Sequence, residues 1–215
     1  MKRHSRPVAG LSWRFRHAIA RPPAASIVNG LRAVDRGRPD LDTYLAEHTA
    51  YLEALQVCAV ETVLLKPLEA YPDSVFVEDA ALCLPEGFIV LRPGAPSRRG
   101  EADEMASEFD RLGYEFGRVD RGSIDGGDIL VTDRVIMVGK SARTDGKGFS
   151  ELETHLAAWG YAAELVETPS GVLHLKSDCA ILDTETVLAT RRLAQSGCFE
   201  GFRAVSYTHL TLPTS

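Results

Sequence analysis

The sequence contains few cysteines, and their spacing does not suggest pairing. Its four, Cys58, Cys83, Cys179 and Cys198, show neither CxxC spacing nor the density of a disulfide scaffold. We therefore predict reduced thiols in a cytoplasmic protein. No apolar run approaches the roughly 18 to 20 residues that span a bilayer, and the basic N-terminal segment lacks the apolar core of a secretory signal. These absences argue against a membrane partner and against classical export.

Common motifs for nucleotide binding and hydrolysis are also absent. The sequence contains no GxGxxG, no P-loop, no GxSxG and no HExxH, so it does not support nucleotide binding, serine hydrolysis or zinc proteolysis. Its six histidines are scattered. We predict neither a cofactor nor a metal.

Acidic residues are lacking only at the beginning of the chain. Residues 1–34 contain seven Lys or Arg and no acid, whereas the remainder has 17 basic and 30 acidic residues. Nucleic-acid binding needs basic residues clustered on a structured face, so we expect no nucleic-acid partner. We predict a disordered lead-in over 1–14, with an organellar transit peptide as the alternative. The 45% apolar and 25% charged residues among 215 are typical of one or two globular domains.

An internal repeat organises the rest of the chain. Asp79, Asp128 and Asp178 each precede a strand-like run, and they are 49 and 50 residues apart. A second run suited to the other strand of a hairpin follows in each unit, over 88–91, 135–138 and 186–189. In the first two of these units a helix is predicted next, over 101–112 and 149–159. A glycine directly follows each of these helices, as is typical of a helix end.

An earlier segment fits the same plan. We predict a strand over 15–20, a helix with Leu41, Leu45, Leu52 and Leu55 on one face, and a strand over 60–65. The long loop over 21–39 between them is a candidate lid.

A period near 48 residues gives about four units, which we expect to pack side by side as ββαβ modules of one α/β domain over 15–205. We expect the last unit to be broken after 195–202. Residues 206–215 contain no acid, Lys or Arg and no repeat signal, and we predict a non-native tail there.

Acids at the beginnings of these units are candidates for a site. Asp73, Glu78 and Asp79 surround an apolar triplet, and Asp125 and Asp128 flank two glycines that we interpret as a flexible pair. Acids at strand ends are usually turn or capping residues. Recurrence at equivalent positions favours a site, because such positions in a ring converge on one axis.

Basic residues complete the candidate site. Arg98, Arg99 and Arg143 lie in loops of successive units, where a solvated surface arginine is the alternative. Together with converging acids they indicate a ligand that is both cationic and anionic, such as an amino acid, because arginine suits carboxylates and acids suit a guanidinium or amine. His174 lies in an apolar run that we interpret as a strand, and the run fits a buried structural histidine as well as a catalytic one.

Five segments together resemble the dimethylarginine dimethylaminohydrolase family. They are 72–79, 92–99, 124–128, 141–144 and 173–177, and the resemblance extends from about residue 15 to 205. It implies a five-fold pseudosymmetric α/β propeller of ββαβ modules, with the last module missing or incomplete in this chain. It also implies hydrolysis of Nω-methylated arginines, such as asymmetric dimethylarginine and monomethylarginine, to citrulline and a methylamine.

The resemblance assigns roles to eight residues. His174 matches the acid/base histidine, and Asp125 the carboxylate that pairs with it or with the guanidinium. Asp79 matches a guanidinium-binding acid, and Leu31 falls on the lid. Asp73 and Glu78 match acids that contact the substrate's amino-acid part or form the wall of the site. Arg98 and Arg143 match the arginines that bind the substrate's carboxylate.

The resemblance also implies a departure that bears on activity. The family's nucleophilic cysteine lies near its C-terminus, beyond the last residue here, and none of the four cysteines substitutes for it. We therefore expect this chain by itself to be inactive. An arginine deiminase or amidinotransferase on the same scaffold, and a non-catalytic binder of arginine-like ligands, remain alternatives. The expected partner is a small-molecule substrate, and the protein is either a monomer or a homodimer.

Overall fold

Four small sheets follow one another along the chain in a computed structural model, which describes residues 10–32, 34 and 37–207. The first sheet pairs β1 (His17–Ala20) in parallel with β2 (Glu61–Leu64), and α1 (Leu41–Val57) connects these strands. Each later unit has two antiparallel strands, a helix, and a third strand parallel to the second. Their elements in chain order are β3 (Ala81–Leu84), β4 (Gly87–Val90), α2 (Glu101–Leu112), β5 (Phe116–Arg118); β6 (Ile129–Val131), β7 (Ile136–Lys140), α3 (Gly146–Ala158), β8 (Ala163–Glu167); β9 (Cys179–Ile181), β10 (Thr186–Thr190), α4 (Arg191–Ala194), β11 (Arg203–Tyr207).

The predicted ββαβ plan is present in the second, third and fourth units. Helix α2 has the predicted bounds, whereas α3 begins three residues earlier than predicted. The earlier start has a local cause, because the Asp145 side chain caps the helix by accepting from the amides of Lys147 and Gly148 at 2.9 Å each.

The fourth unit is complete as a ββαβ unit, so the prediction of a broken pattern is wrong. Its helix α4 has only four residues, too few to give a helical periodicity in the sequence. Its last strand β11 pairs in parallel with β10 and includes Ser206 and Tyr207, the first two residues of the predicted non-native tail. That this tail is non-native stays a prediction. Residues 208–215 of that predicted tail lie outside the described residues.

Part of the predicted lead-in is described. Residues 10–13 form a turn, and disorder of the lead-in stays a prediction. This turn is fastened to the third unit, because the amide of Gly10 donates to Asp133 Oδ1 at 2.8 Å, the hydroxyl of Ser12 donates to the carbonyl of Val131, and Leu11 packs against the neighbouring core. Residues 1–9 lie outside the described residues. No helix in the described ranges is both long and apolar enough to span a bilayer.

The apolar core is divided among the contacts between successive units. One cluster, including Leu65 and Phe109, joins the first unit to the second. A second, including Ile89 and Leu152, joins the second to the third, and a third, including Met137 and Val187, joins the third to the fourth. Each unit therefore covers an apolar face of its neighbour, as the repeat predicted.

Candidate active site

Three short 3-10 turns, each preceding the first strand of a unit, form the base of the candidate site. They are Val77–Ala80, Gly126–Asp128 and Leu175–Ser177. Phe76, Asp125 and His174 stand immediately before these turns, and consecutive members of this set are 49 residues apart. The repeat therefore brings the same position of three units to one place. His174 lies in extended backbone at the beginning of its turn and not in the strand that we predicted.

His174 and Asp125 form a buried pair. His174 Nε2 lies 3.0 Å from Asp125 Oδ2, and Asp125 is fully buried. The backbone amide of Gly94 donates to the other carboxylate oxygen of Asp125 at 2.7 Å, which fixes the plane of this group. Burial alone would lower the pKa of His174, but the hydrogen bond to Asp125 and the charges of Asp79 and Asp128 outweigh it, so the pKa of His174 is raised above its ordinary value of 6.5.

Asp79 is held from two sides. It accepts from the amide of Gly127 at 2.8 Å and from Arg98 Nη1 at 2.5 Å. Arg98 also donates from Nε and Nη2 to the buried carboxylate of Glu101 at 2.9 and 2.7 Å. Desolvation would lower the pKa of Arg98, but Glu101 and Asp79 outweigh that effect and raise it, so the guanidinium stays charged. The guanidinium of Arg98 thus donates its hydrogen bonds to protein groups. This arrangement favours a role for Arg98 in holding Asp79, instead of the predicted contact with a substrate carboxylate.

Asp73 connects the candidate lid to the site. Its carboxylate accepts from the amide of Leu31 at 3.0 and 3.2 Å. Among the described residues Asp73 forms no ion pair with a basic side chain, although it is 7% exposed. A carboxylate of this kind, bordering a cavity without a fixed cation, suits the amino group of a ligand.

Two glycines let the turns approach each other closely. A Cβ at position 126 would lie 1.8 Å from the carbonyl oxygen of Glu78, and one at 127 would lie 2.9 Å from the ring of His174. The glycine pair that we interpreted as flexible is therefore required by the close packing of the three turns.

The eight residues predicted for the site lie in or against one cavity of about 280 Å³. Asp125 stands behind His174, and Arg143 Nη1 lies 3.9 Å from Asp125 Oδ2. The other predicted residues in the cavity wall are Leu31, Asp73, Glu78, Asp79, Arg98, Arg143 and His174. A larger cavity of about 590 Å³ is lined mainly by apolar residues of β1, β3, β6 and β9 and contains neither His174 nor Asp125, so its chemistry is different.

Sequence reasoning missed three residues of this wall, Phe76, Leu173 and Lys176. The side chains of Phe76 and Leu173 are about half exposed and give this wall apolar surface. Phe76 could have been found from the sequence, because it occupies the same repeat position as Asp125 and His174. The same spacing indicates Lys176, because it occupies the repeat position of Glu78 and Gly127.

The recurrent aspartates do not all reach the site, which corrects the expectation that they converge on one axis. Asp128 is fully buried and accepts from Ser141 Oγ, Thr144 Oγ1 and the amide of Leu175 at 2.6, 2.7 and 2.9 Å. Asp178 accepts from Thr190 and Arg192 of its own unit. Of the three repeat aspartates, only Asp79 borders the cavity.

The acids and the histidine of the site could hold a cation. One ligand atom from each of Asp79, Asp125 and His174 lies within 4.8 Å of the other two. Both carboxylates already have basic partners, Arg98 and His174, so a metal ion would compete with existing hydrogen bonds. A planar organic cation with several N–H donors needs only the remaining lone pairs of these acids.

The four cysteines lie outside the wall of this cavity. The thiol of Cys179 is buried and donates to the carbonyl of Leu175, and burial raises its pKa to about 12. Desolvation also raises the pKa of Cys83, to about 11, and that of Cys198. Cys58 is exposed at the end of α1. A raised pKa disfavours the thiolate, which is the nucleophilic form.

Known proteins are similar to this chain in sequence and in fold. Residues 40–181 match the profile of the family described as N,N dimethylarginine dimethylhydrolase, eukaryotic. The N(G),N(G)-dimethylarginine dimethylaminohydrolase of Pseudomonas aeruginosa is 38% identical over 195 residues, which are 89% of this chain and 76% of that protein. The protein of the same name from Streptomyces coelicolor is 37% identical over 174 residues, 80% of this chain and 67% of that protein.

Solved structures agree with these sequence matches. The Pseudomonas aeruginosa protein, as a cysteine-to-serine variant complexed with citrulline, has a TM-score of 0.84 to this chain at 38% identity, over 90% of this chain and 76% of that one. The N-terminal domain of a cyanobacterial arginine dihydrolase has a TM-score of 0.70 over 87% of this chain and 74% of that one, and its 18% identity shows a common fold alone.

The fold and the matches place the chain among hydrolases with an α/β-propeller fold. The predicted fold class is thereby confirmed. The chain belongs to the dimethylarginine dimethylaminohydrolase family, as its sequence resemblance indicated. That a last module is missing stays a prediction.

Proposed function

We propose that this chain binds Nω-methylated arginines and carries the substrate-binding and acid/base part of their hydrolysis to citrulline and a methylamine. The observation that carries the proposal is the buried His174–Asp125 pair, 3.0 Å apart, beside Asp79 in a cavity large enough for an amino acid. The relatives' names support the reaction type, and citrulline in the solved relative supports the product.

In this proposal the acids bind the substrate cation. Asp79 takes the guanidinium, whose N–H groups suit carboxylate lone pairs, and Asp125 contributes its negative charge from behind His174. Arg98 holds and orients the Asp79 carboxylate. Asp73 receives the substrate's amino group, and Arg143, which is partly exposed in the wall, receives its carboxylate. The arrangement fixes both ends of an arginine-like ligand.

His174 supplies the proton for the leaving amine. Expulsion of a methylamine from a tetrahedral carbon needs protonation of its nitrogen, and a general acid works best when its pKa is close to the working pH. The raised pKa of His174 keeps the ring protonated to a higher pH than an ordinary histidine. Asp125 fixes the ring and stabilises its charged form.

The nucleophile of this reaction is a cysteine thiolate that is not among Cys58, Cys83, Cys179 and Cys198. A guanidinium carbon is a weak electrophile, so the family chemistry uses thiolate attack followed by hydrolysis. The location of the four thiols outside the cavity, and the raised pKa of three of them, support this part of the proposal. It predicts ligand binding without turnover by this chain alone, which a non-catalytic binder would share.

Calorimetry with asymmetric dimethylarginine and citrulline, together with an assay for released dimethylamine, tests the proposal. We expect the chain to bind both ligands and to release no dimethylamine. Asp79→Asn should weaken binding of dimethylarginine by about tenfold or more, because it removes a charge from the guanidinium site. The matched control Asp178→Asn, at the equivalent repeat position away from the cavity, should leave binding unchanged.

Three results would change the conclusion. Binding of neither ligand would refute the proposed function. Release of dimethylamine by this chain would show that one of its own residues acts as the nucleophile. Equal weakening by Asp79→Asn and Asp178→Asn would remove Asp79 from the binding site.

A further inference from the structure

One ion pair directly connects the turn of the second unit to the turn of the fourth unit across the site. Lys176 Nζ lies 2.8 Å from Glu78 Oε2, and the two residues are 98 positions apart in the chain. Both residues line the site cavity, and both also line the larger apolar cavity. The pair therefore stands at the boundary between the two cavities.

This pair differs from the other charge pairs of the site in its exposure. The side chains of Arg98 and Asp79 are 5% and 7% exposed, so the guanidinium cannot leave its partner without losing all its bonds in a dry environment. The side chains of Lys176 and Glu78 are 30% and 62% exposed. An ammonium on a flexible four-carbon stem with access to water can leave its carboxylate at little cost.

The reaction class makes this exchangeable cation significant. A methylated arginine carries a positive charge on its guanidinium, whereas citrulline is neutral in the same part of the molecule. A lysine in the cavity wall that neutralises one of its acids disfavours the charged guanidinium more than the neutral ureido group. Its effect on the α-ammonium is common to both ligands and cancels in the ratio of their affinities. Like charges within one cavity also repel each other.

We infer that Lys176 is a specificity-determining residue, which occupies Glu78 as an internal counter-ion and thereby lowers the affinity of the site for cationic ligands relative to neutral ones. The inference rests on the proposed function, because it takes the guanidinium and citrulline as the ligands of this cavity. It concerns Lys176 alone and adds no step to the chemistry.

The test compares the affinities of Lys176→Met and wild type for asymmetric dimethylarginine and for citrulline, by calorimetry at fixed ionic strength. We expect dimethylarginine to bind roughly two- to fivefold tighter to the variant, the upper part of the usual range for a partly exposed charge pair. Citrulline affinity should stay within about twofold of wild type. Lys140→Met is the control, because it removes a lysine from an exposed ion pair of similar length, with Glu167 at 2.9 Å, outside the cavity.

Two further variants keep the inference falsifiable if Lys176→Met folds poorly. Lys176→Arg retains the positive charge and should retain the wild-type ratio of the two affinities. Adding Glu78→Gln to Lys176→Met should abolish the gain in dimethylarginine affinity.

Several outcomes would overturn the inference. They are an unchanged affinity ratio in Lys176→Met, an equal change for both ligands, and the same gain in Lys140→Met. A wild-type chain that binds neither ligand would refute the proposed function and this inference with it. A wild-type chain that binds both ligands, with Lys176→Met unchanged, would overturn the inference alone.

Discussion

The beginning and the end of each short turn are both repeated positions, yet they do different work. Phe76, Asp125 and His174 precede the turns, and the last two of them form the charged pair of the site. The aspartates within one residue of the turn ends, Asp79, Asp128 and Asp178, mainly fasten units to one another or to their own loops. The same fold symmetry thus supports both structural and site residues, and the identity of the repeated residue does not distinguish them.

What distinguishes them is variation within each set. Aspartate is kept at all three turn ends, because an acceptor for nearby hydroxyl, guanidinium or amide donors is needed at each. The position before the turn changes from phenylalanine to aspartate to histidine, so three different side chains meet in one place. A catalytic site needs groups of different chemistry, and a symmetric fold supplies them only where the repeat departs from itself.

The strongest test of this comparison is removal of a turn-end carboxylate. Asp128→Ala should lower the free energy of unfolding by about 3 to 5 kcal/mol, because it leaves two buried donors and one partly buried donor without an acceptor. Asp178→Ala should cost only about 1 to 2 kcal/mol, since the half-exposed Arg192 can be hydrated instead. Urea denaturation measures both, and similar losses would contradict the distinction between these two positions.

The pKa of His174 should depend on Asp125, the residue at the equivalent position of the neighbouring unit. Asp125→Asn should lower the pKa of His174 toward 6.5 or below, because it removes the hydrogen bond that outweighs burial. Histidine NMR signals followed against pH measure this shift, and Asp178→Asn should leave the titration unchanged.

The same pKa shift makes stability depend on pH. Because the folded-state pKa of His174 lies above 6.5, its contribution to stability is full below pH 6.5 and is lost as pH rises through the folded pKa. The difference in unfolding free energy between wild type and His174→Gln should therefore shrink over that range. A difference that grows with pH would show that the pKa is lowered instead.

The smallest expected effect concerns Phe76, the apolar member of the set before the turns. Phe76→Ala should weaken citrulline binding by about three- to tenfold, since its half-exposed ring contributes only part of a buried phenylalanine's apolar contact. It should leave the pKa of His174 in place. Calorimetry and the NMR titration together check this, and a shifted His174 titration would mean that the three positions are more tightly coupled than proposed.

Much of the fold was predictable from the sequence because the repeat is carried by local patterns. The strand and helix periodicity of the second and third units gave their order, and α2 was predicted with its bounds. The fourth unit was misjudged because α4 has only four residues and therefore lacks a helical pattern. The strand position of Ser206 and Tyr207 was not evident either, since it depends on pairing with β10 and not on composition.

The site was predictable only in part, because its contacts join residues far apart in the chain. The resemblance indicated the eight residues, but their partners depend on how the turns pack. The burial of Arg98 against Glu101 and the bridge from Lys176 to Glu78 are examples. The 49-residue spacing of Phe76, Asp125 and His174 was present in the sequence and could have been noticed, whereas the approach of Gly126 to the Glu78 carbonyl could not.

The hydrogen bonds that join successive turns also bear on how the chain reaches its native state. Asp79 accepts from Gly127 across 48 residues, and Asp128 accepts from Leu175 across 47. Closing a loop of about 48 residues costs roughly 3 to 4 kcal/mol of chain entropy beyond a constant, and the cost is nearly the same each time. Successive units can therefore dock one after another against equal entropic barriers. Folding by this route resembles the growth of a linear array more than the collapse of a single nucleus.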